Sequence, residues 1–335
     1  MKKQKFKNFN INITEYKNIQ NKVQKEFWID IKKLALYTLL GAALLGIMFI
    51  IVEYFSSQGL SLEKIITIST SIAGILSTIM FIIFIIFSIK EHKQKIFEQI
   101  SILILKQIPD LKITSKSIDK YEDFLDEGYD GDWHSKIRAA NLCFPFCKTL
   151  DNNFILNSIF IKEKETSSYL KFAYKNKLVQ ILNAKFQVGL RKLPYITLFR
   201  GIIIFIDKNK LFNGNYCVIQ KNKIGIRRKP FANIPLLNIE HPLLKNFSIY
   251  ADNNSGLDRL LKPEFLNTFL NIKKEFKASI IDFGTNGNKT AILINFPQRR
   301  FGSLPLFRPL TEKDIHELSK QYNAILNFIN TIENY

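Results

Sequence analysis

The sequence LALYTLLGAALLGIMFIIV, residues 34–52, carries no charged side chain and decides the first part of the fold. As a helix it spans roughly 28 Å at about 1.5 Å per residue, close to the hydrocarbon thickness of a bilayer. A second uncharged stretch, residues 65–89, reads IITISTSIAGILSTIMFIIFIIFSI and is long enough to span with some tilt. Uncharged runs this long are rare in soluble cores. The two stretches therefore predict a transmembrane helical hairpin rather than two buried core helices.

The distribution of lysine predicts how the hairpin is oriented. Residues 1–33 contain nine lysines and three acidic residues, whereas the loop from Glu53 to Lys64 contains one lysine and two glutamates. The second stretch is followed by three more lysines, Lys90, Lys93 and Lys95. Because lysine-rich flanks stay on the cytoplasmic side, both termini are expected in the cytoplasm. The first stretch is too long for the apolar region of a signal peptide, so we interpret it as a retained anchor.

This pattern divides the chain into regions. They are a basic amphipathic arm (1–33), a transmembrane hairpin (34–89, with spans 34–52 and 65–89), a stalk helix (90–109) and a cytoplasmic domain (110–335). The arm has an apolar helical stripe, Tyr16, Ile19, Val23 and Phe27. The stripe predicts a helix that lies at the lipid headgroups or joins the first span, with an ordinary solvated helix as the alternative. Gly41 and Gly46 are expected to let the spans pack closely.

The cytoplasmic domain changes rhythm at about residue 135, where short β-branched and aromatic runs alternate with Gly, Asn and Pro. The runs that predict strands are FILNSIFI, QILNAKFQVGL, TLFRGIIIFI, NYCVIQ, FSIYA, ASIIDF and KTAILINF. A helix is predicted from Leu257 to about Lys274 with a stop and restart at Pro263, and another from Thr311 to about Ile332. Together these elements predict an α+β fold with a mostly antiparallel sheet and flanking helices.

The net charge of +19 raises the question of nucleic-acid binding. Phosphate contact would fall on KNKIGIRRK, Lys221 to Lys229. The chain is also rich in Asn and Ile, so an A/T-rich coding sequence explains much of the lysine excess, and we disfavour nucleic acid. Lysines near the membrane are still expected to attract anionic lipid headgroups, by ~1 kcal/mol each.

The tripeptide Asp282-Phe283-Gly284 matches the magnesium-binding sequence of protein kinases. The sequence contains neither a G-x-G-x-x-G loop nor a His-Arg-Asp loop, both of which a kinase requires. Asn286-Gly287 is instead a strong turn signal between two apolar runs. We therefore place Asp282 in a hairpin. Ser255 or Asn254 is expected to cap the helix that begins near Leu257.

Other candidates for chemistry are isolated. His134 beside Asp132, and His241 after Glu240, are the only histidine–carboxylate neighbours considered for catalysis. Cys143 and Cys147 lack the further ligands that a zinc site needs, and the four aspartates between 123 and 132 fit no calcium loop. Three cysteines make no disulfide framework. The sequence therefore predicts no catalytic residue, no metal ligand and no cofactor.

The C-terminal half contains an ordered set of motifs. They are an F-x-G-x-F/I strand (199–203), an N-K-x-F-x-G turn (209–214), an F-x-V-Y-x-x-D-like strand (247–252) and an L-x-P helix start (261–266). With two apolar spans ahead of them, these motifs resemble a bacterial membrane-protein family known as domain of unknown function 3137, over about residues 120–333. The sequence departs from the family after Asp252, where only Arg259 matches an acidic-Ala-Arg run. The resemblance implies a bacterial inner (cytoplasmic) membrane, but no activity, substrate or cofactor.

Taken together, these features favour a membrane-anchored cytoplasmic binding or scaffold module over an enzyme. Its expected partners are the lipid bilayer with its anionic headgroups, and either another protein or further copies of the chain. Two alternatives stay open at this point. One is a membrane-associated hydrolase or transferase with an unrecognised site, and the other is nucleic-acid contact through the basic segment.

Overall fold

The computed structural model of the chain describes residues 12–56, 62–115, 159–190, 196–207, 214, 216–221, 234–285, 289–296 and 304–333. These residues form two compact units. The helical unit comprises Asn12–Ile100 and Leu304–Thr311, and the sheet unit comprises the other described residues. Residues 304–311 thus belong to the helical unit, although the chain on either side of them belongs to the sheet unit.

Two long helices, α1 (Ile13–Ser56) and α2 (Leu62–Lys106), form most of the helical unit. The predicted arm continues into the first apolar run in α1 without a break, and α2 carries the second run and the segment after it. The helices run antiparallel: Thr38 faces Ser77, whose hydroxyl donates to the Thr38 carbonyl at 3.4 Å, and Asp30 faces His92. Apart from its own helix backbone and chain neighbours, a Cβ built at Gly41 or Gly46 meets nothing within 4 Å. Close packing of spans through these glycines, with Ala42 and Ala43, stays a prediction.

The apolar runs lie on the outside of the helical unit. Both helices are long and apolar enough to cross a membrane, and only 6% of the most apolar window of each is buried. Leu36, Leu39 and Leu44 are 57%, 70% and 64% exposed. A core helix of a soluble protein buries such side chains, so this exposure argues against the alternative of two core helices.

The sheet unit contains a nine-stranded antiparallel sheet. The strands are β1 (Leu111–Ser115), β2 (Ile159–Tyr174), β3 (Lys177–Leu190), β4 (Ile196–Asp207), β5 (Tyr216–Gln220), β6 (Leu236–Leu237), β7 (Phe247–Ala251), β8 (Ile280–Thr285) and β9 (Lys289–Asn295). Their order across the sheet is β1-β2-β3-β4-β9-β8-β5-β7-β6. The predicted hairpin is confirmed, because β8 and β9 pair from Ile280↔Asn295 to Thr285↔Thr290. Its turn, residues 286–288, lies outside the described residues.

Three further helices, α3 (Leu257–Leu260), α4 (Pro263–Glu275) and α5 (Glu312–Glu333), complete the sheet unit. The predicted stop and restart at Pro263 is confirmed, because α4 has Pro263 in its first turn, where the missing N–H costs nothing. Phe265 of α4 contacts Phe283 of β8 and Phe328 of α5, with ring centroids 5.2 and 5.3 Å apart. The two helices therefore cover one face of the sheet, and the α+β fold class is confirmed.

The opposite face of the sheet is also apolar and buried. Its central residues are Leu182, Ile203, Phe205, Cys217, Ile219, Tyr250, Ala291 and Leu293, and Ile234 packs against them. Because both faces are buried, the central strands read as nearly continuous apolar runs such as GIIIFI in β4.

Candidate functional site

The catalytic candidates of the sequence do not assemble into a site among the described residues. His241 precedes a short 3-10 helix, Pro242–Leu244, and its Nδ1 accepts a hydrogen bond from the Leu243 N–H at 3.2 Å. Its neighbour Glu240 is exposed. This histidine therefore caps a turn. His134, Asp132, Cys143, Cys147 and the aspartates between 123 and 132 lie outside the described residues, which themselves contain no cluster of three metal-ligating side chains.

The basic segment considered for nucleic acid is described only at its first residue. Lys221 is exposed, and its Nζ donates to the backbone carbonyl of Lys245 at 3.3 Å. Residues 222–229 lie outside the described residues. The contact at Lys221 closes the loop between β5 and β7 and gives no support to phosphate binding.

Asp282, the aspartate of the kinase-like tripeptide, lies in the last residue pair between β5 and β8 and bonds to the backbone of β5. It is 1% exposed, and its Oδ1 accepts the backbone N–H of Gln220 at 3.0 Å. The Gln220 side chain in turn bonds to the backbone before Asp282. Its Oε1 accepts the Ile281 N–H at 3.1 Å, and its Nε2 donates to the Ser279 carbonyl at 3.2 Å. These side-chain bonds continue the contact between the two strands past the last β5–β8 pair, Ile219↔Asp282. Asp282 is therefore a structural residue of the sheet.

The family-like motifs converge on one joint of the sheet unit. Gly214 has φ of +135°, which side chains rarely tolerate, and a Cβ there would collide with the side chains of Asp252 and Asn253. The buried Tyr216 hydroxyl donates to the Asn253 side-chain oxygen and accepts the Gly256 N–H at 2.7 Å. The turn that contains Gly214 and the segment that begins at Asp252 thus pack so closely that no side chain fits at position 214.

The same joint corrects the predicted helix cap. Helix α3 begins after Gly256 and has no side-chain cap, so neither Ser255 nor Asn254 caps it. Instead, Asn253 accepts the Ser255 N–H at 3.0 Å, and the Gly256 N–H points to Tyr216. The prediction is wrong because a tyrosine that is distant in sequence supplies the oxygen that a local cap would otherwise provide.

Gly201 explains another family-like motif, the F-x-G-x-F/I strand. It lies in β4 opposite Asn295 of β9. A Cβ at Gly201 would collide with the carbonyl oxygen of Ile294 and lie 2.8 Å from its carbonyl carbon. Two strand backbones approach so closely here that only glycine fits. All three motifs therefore describe how the sheet is built.

Side chains of α1 bind residues 304–311, which we call the base segment. Gln20, 2% exposed, donates through Nε2 to the carbonyls of Pro305 and Arg308 at 2.8 and 2.7 Å. Its Oε1 accepts the Leu310 N–H at 2.9 Å. Gln24 donates to the Leu306 carbonyl one turn later. Two amide side chains thus hold an irregular backbone segment through its own polar groups.

Aromatic rings continue this contact toward the apolar run of α1. Phe27 is 2% exposed and lies edge-on to Phe307 of the base segment, with ring centroids 5.3 Å apart. Phe27 also lies edge-on to His92 of α2 at 5.4 Å and to Trp28 at 5.3 Å. One buried ring therefore joins both helices and the base segment.

His92 and Asp30 form the polar part of the same place. His92 is 1% exposed, and its Nδ1 lies 2.8 Å from the Ser88 carbonyl oxygen, which only accepts, so this nitrogen carries a hydrogen. Its Nε2 lies 3.3 Å from Asp30 Oδ2, an ion pair whenever the ring is protonated. Sequence reasoning missed both residues. The sequence offered a signal only for Gln20, a glutamine at helical spacing within an otherwise apolar stripe, and none for its partners.

The structure therefore defines a class of chain: a pair of exposed apolar helices with a polar, aromatic base, followed by an antiparallel α+β unit. Residues 197–334 match the model of a family described as Protein of unknown function (DUF3137), so the C-terminal part is similar to that family, as the motifs predict.

Other comparisons add little. A search of curated proteins finds no match. Among solved structures the chain is similar to the crystal structure of the mycobacterial trehalose monomycolate transport factor A, TtfA. The identity is 10% and the TM-score 0.29, over 51% of this chain and 74% of that chain. A likeness this weak carries no argument about function.

Proposed function

We propose that the chain is a membrane-anchored module whose sheet unit lies on the cytoplasmic face of a bacterial inner membrane and binds another protein. The observation that carries this proposal is the exposure of both apolar runs. Leaving them in water would expose far more contiguous apolar surface than soluble proteins tolerate, whereas a bilayer covers it. The length of each run also matches the hydrocarbon core.

The charges at the ends of the helices support the orientation. Lys25, Lys32 and Lys33 lie on exposed positions of α1 before its apolar run. Lys90 and Lys93 follow the apolar run of α2 at the same end of the antiparallel pair. Basic residues at this end, and only one lysine in the 53–64 loop, are the asymmetry that keeps an end of a hairpin in the cytoplasm.

A binding role agrees better with the described residues than catalysis does. Among the described residues, His241 caps a turn and Asp282 bonds to the neighbouring strand, so the polar atoms of both candidates are engaged in structural hydrogen bonds. Both faces of the sheet are buried, and a packed sheet of this kind suits presentation of a surface to a partner.

Membrane attachment and orientation are tested with engineered cysteines in the full-length chain, expressed in cells after Cys143, Cys147 and Cys217 are replaced by Ala. Lys25→Cys marks the arm, and Tyr54→Cys marks the opposite end of α1. An impermeant maleimide is expected to label only the Tyr54→Cys protein on intact cells, and both proteins after permeabilisation. Labelling of Lys25→Cys on intact cells would contradict the orientation, and release by alkaline carbonate would contradict membrane insertion.

Protein binding is tested by mild cross-linking in cells. The full chain is compared with a chain that ends after residue 109 and keeps the hairpin. Proteins captured only by the full chain are expected, and identical captured sets from the two chains would contradict the proposed role of the sheet unit.

A further inference from the structure

We propose that Trp28, Ile29 and Phe307 form one patch that inserts into the headgroup layer of the membrane, so that the base segment is itself a lipid contact. We call these three residues the interfacial patch. This inference rests on the proposed function, because it needs the apolar runs of α1 and α2 in a bilayer. It adds a membrane contact from the C-terminal half of the chain, almost three hundred residues away in sequence.

Exposure of the patch is the first observation. Trp28, Ile29 and Phe307 are 55%, 52% and 53% exposed. Outside the 34–89 region, the described residues contain five exposed large apolar side chains, and the other two, Leu236 and Leu243, are 62% and 38% exposed. Three of the five are therefore concentrated at one place. Single exposed apolar residues need no explanation, but a cluster of this kind marks a surface that another phase or molecule covers.

The position of the patch selects lipid. Trp28 precedes Leu34 by six residues of continuous helix, which is about 9 Å at 1.5 Å per residue. The headgroup layer begins where the apolar run ends and is roughly 5–8 Å thick on each side, so Trp28 lies at about the outer edge of this layer. Trp and Tyr rings concentrate at this depth because one end of the ring is apolar and the other donates a hydrogen bond. The patch is thus continuous with the surface that lipid already covers.

Phe307 is brought to that depth by the contacts of the base segment. Its ring centroid lies 5.3 Å from Phe27 and 6.4 Å from Trp28. The backbone on both sides is fixed by Gln20 at Pro305 and Arg308. The phenylalanine is therefore presented outward by a segment that is already ordered, so little conformational entropy is lost when it enters the membrane.

The charges around the patch complement an anionic leaflet. Residues 25–33, 90–95 and 307–308 include seven basic side chains, Lys25, Lys32, Lys33, Lys90, Lys93, Lys95 and Arg308, against three acidic ones, Glu26, Asp30 and Glu91. A local excess of four positive charges favours anionic headgroups over zwitterionic ones, at about 1 kcal/mol per basic residue close to the surface. A soluble protein partner would need to match both this charge and the adjoining apolar runs.

The test uses the full-length chain in liposomes that contain anionic lipid, with tryptophan as the depth probe. The chain has two tryptophans, so Trp133→Phe leaves Trp28 alone. A second protein carries Trp28→Phe, Trp133→Phe and Phe307→Trp. Both are expected to lose emission to lipids brominated near the headgroup end of the acyl chain, and less to lipids brominated near its terminal methyl. Far-ultraviolet circular dichroism and carbonate resistance confirm that each variant is folded and embedded.

Each result separates the inference from the proposed function. Carbonate-resistant protein whose residue 307 tryptophan is not quenched by any brominated lipid overturns the inference and leaves membrane anchoring intact. The inference is also overturned if brominated lipid does not quench this tryptophan but its protection from iodide rises with the protein-to-lipid ratio. That outcome would assign the patch to contact between copies of the chain. Protein released by carbonate overturns the proposed function itself.

Discussion

Gln20 offers the sharpest test of the helical unit, because one side chain bonds to three backbone groups of the base segment. Replacing it by Ala removes the bonds to the carbonyls of Pro305 and Arg308 and to the Leu310 N–H. Each bond contributes about 1 kcal/mol net, so the segment loses about 3 kcal/mol. Since 1.4 kcal/mol corresponds to a factor of ten, local opening becomes on the order of a hundredfold more frequent.

Hydrogen exchange measured by mass spectrometry on the full-length chain in detergent reports this opening directly. Amide exchange in the peptide that contains residues 304–311 is expected to accelerate in Gln20→Ala, most clearly at Leu310. Gln20→Glu is expected to do at least as much harm, because its second oxygen would face two carbonyl oxygens. Asn21→Ala is the matched control, since Asn21 is exposed on the same helix and is expected to leave exchange unchanged.

Unaltered exchange of residues 304–311 in Gln20→Ala would show that these bonds do not hold the base segment, provided that the circular dichroism of the variant matches that of the parent. Equal acceleration in Asn21→Ala would refute it as well, because the effect would then come from α1 as a whole rather than from the buried amide.

Three further predictions concern thermal or denaturant unfolding of the full-length chain in detergent. Gly201→Ala is expected to lower the free energy of unfolding by about 3 kcal/mol or more, because its methyl group would collide with backbone atoms. Gly74→Ala, whose methyl group would lie in open space, is expected to change stability little. Equal stability of the two variants would contradict this prediction. Asp282→Ala is expected to cost about 1–3 kcal/mol by leaving the Gln220 N–H unpaired, and Asp282→Asn less; an unchanged midpoint in Asp282→Ala would show that the bond is dispensable. Burial raises the pKa of Tyr322, so the unfolded chain ionises first and stability falls as pH rises above about 10. Tyr322→Phe is expected to flatten that fall, and parallel pH curves for the two proteins would refute the cause.

The elements that sequence reasoning found were those with strong local signals. Pro263 fixes the restart of a helix through its own ring, and Asn286-Gly287 between apolar runs predicts a hairpin without knowledge of the rest of the sheet. Helix α5 agrees with its predicted bounds to within one residue at each end, because its buried side chains recur at helical spacing.

The elements that were missed depend on distant partners. β1 was not predicted, and β2 extends through KEKETSS, whose charged and small residues have no apolar alternation. These residues adopt strand conformation because β2 pairs with β3 along most of the length of both strands. The polar contacts of Gln20 with the base segment could not be predicted either, because nothing in either local sequence indicates the other.

The union of Gln20 with the base segment also has a consequence for biosynthesis. The partners are 285 residues apart, so at roughly 5–20 residues per second a ribosome needs roughly 15 to 60 s to make the second after the first. The hairpin has left the exit tunnel long before then, with its buried amide and the Phe27 ring still uncovered. A nascent chain therefore lacks this contact until residues 304–311 are made, and a chain truncated before residue 304 would lack it permanently.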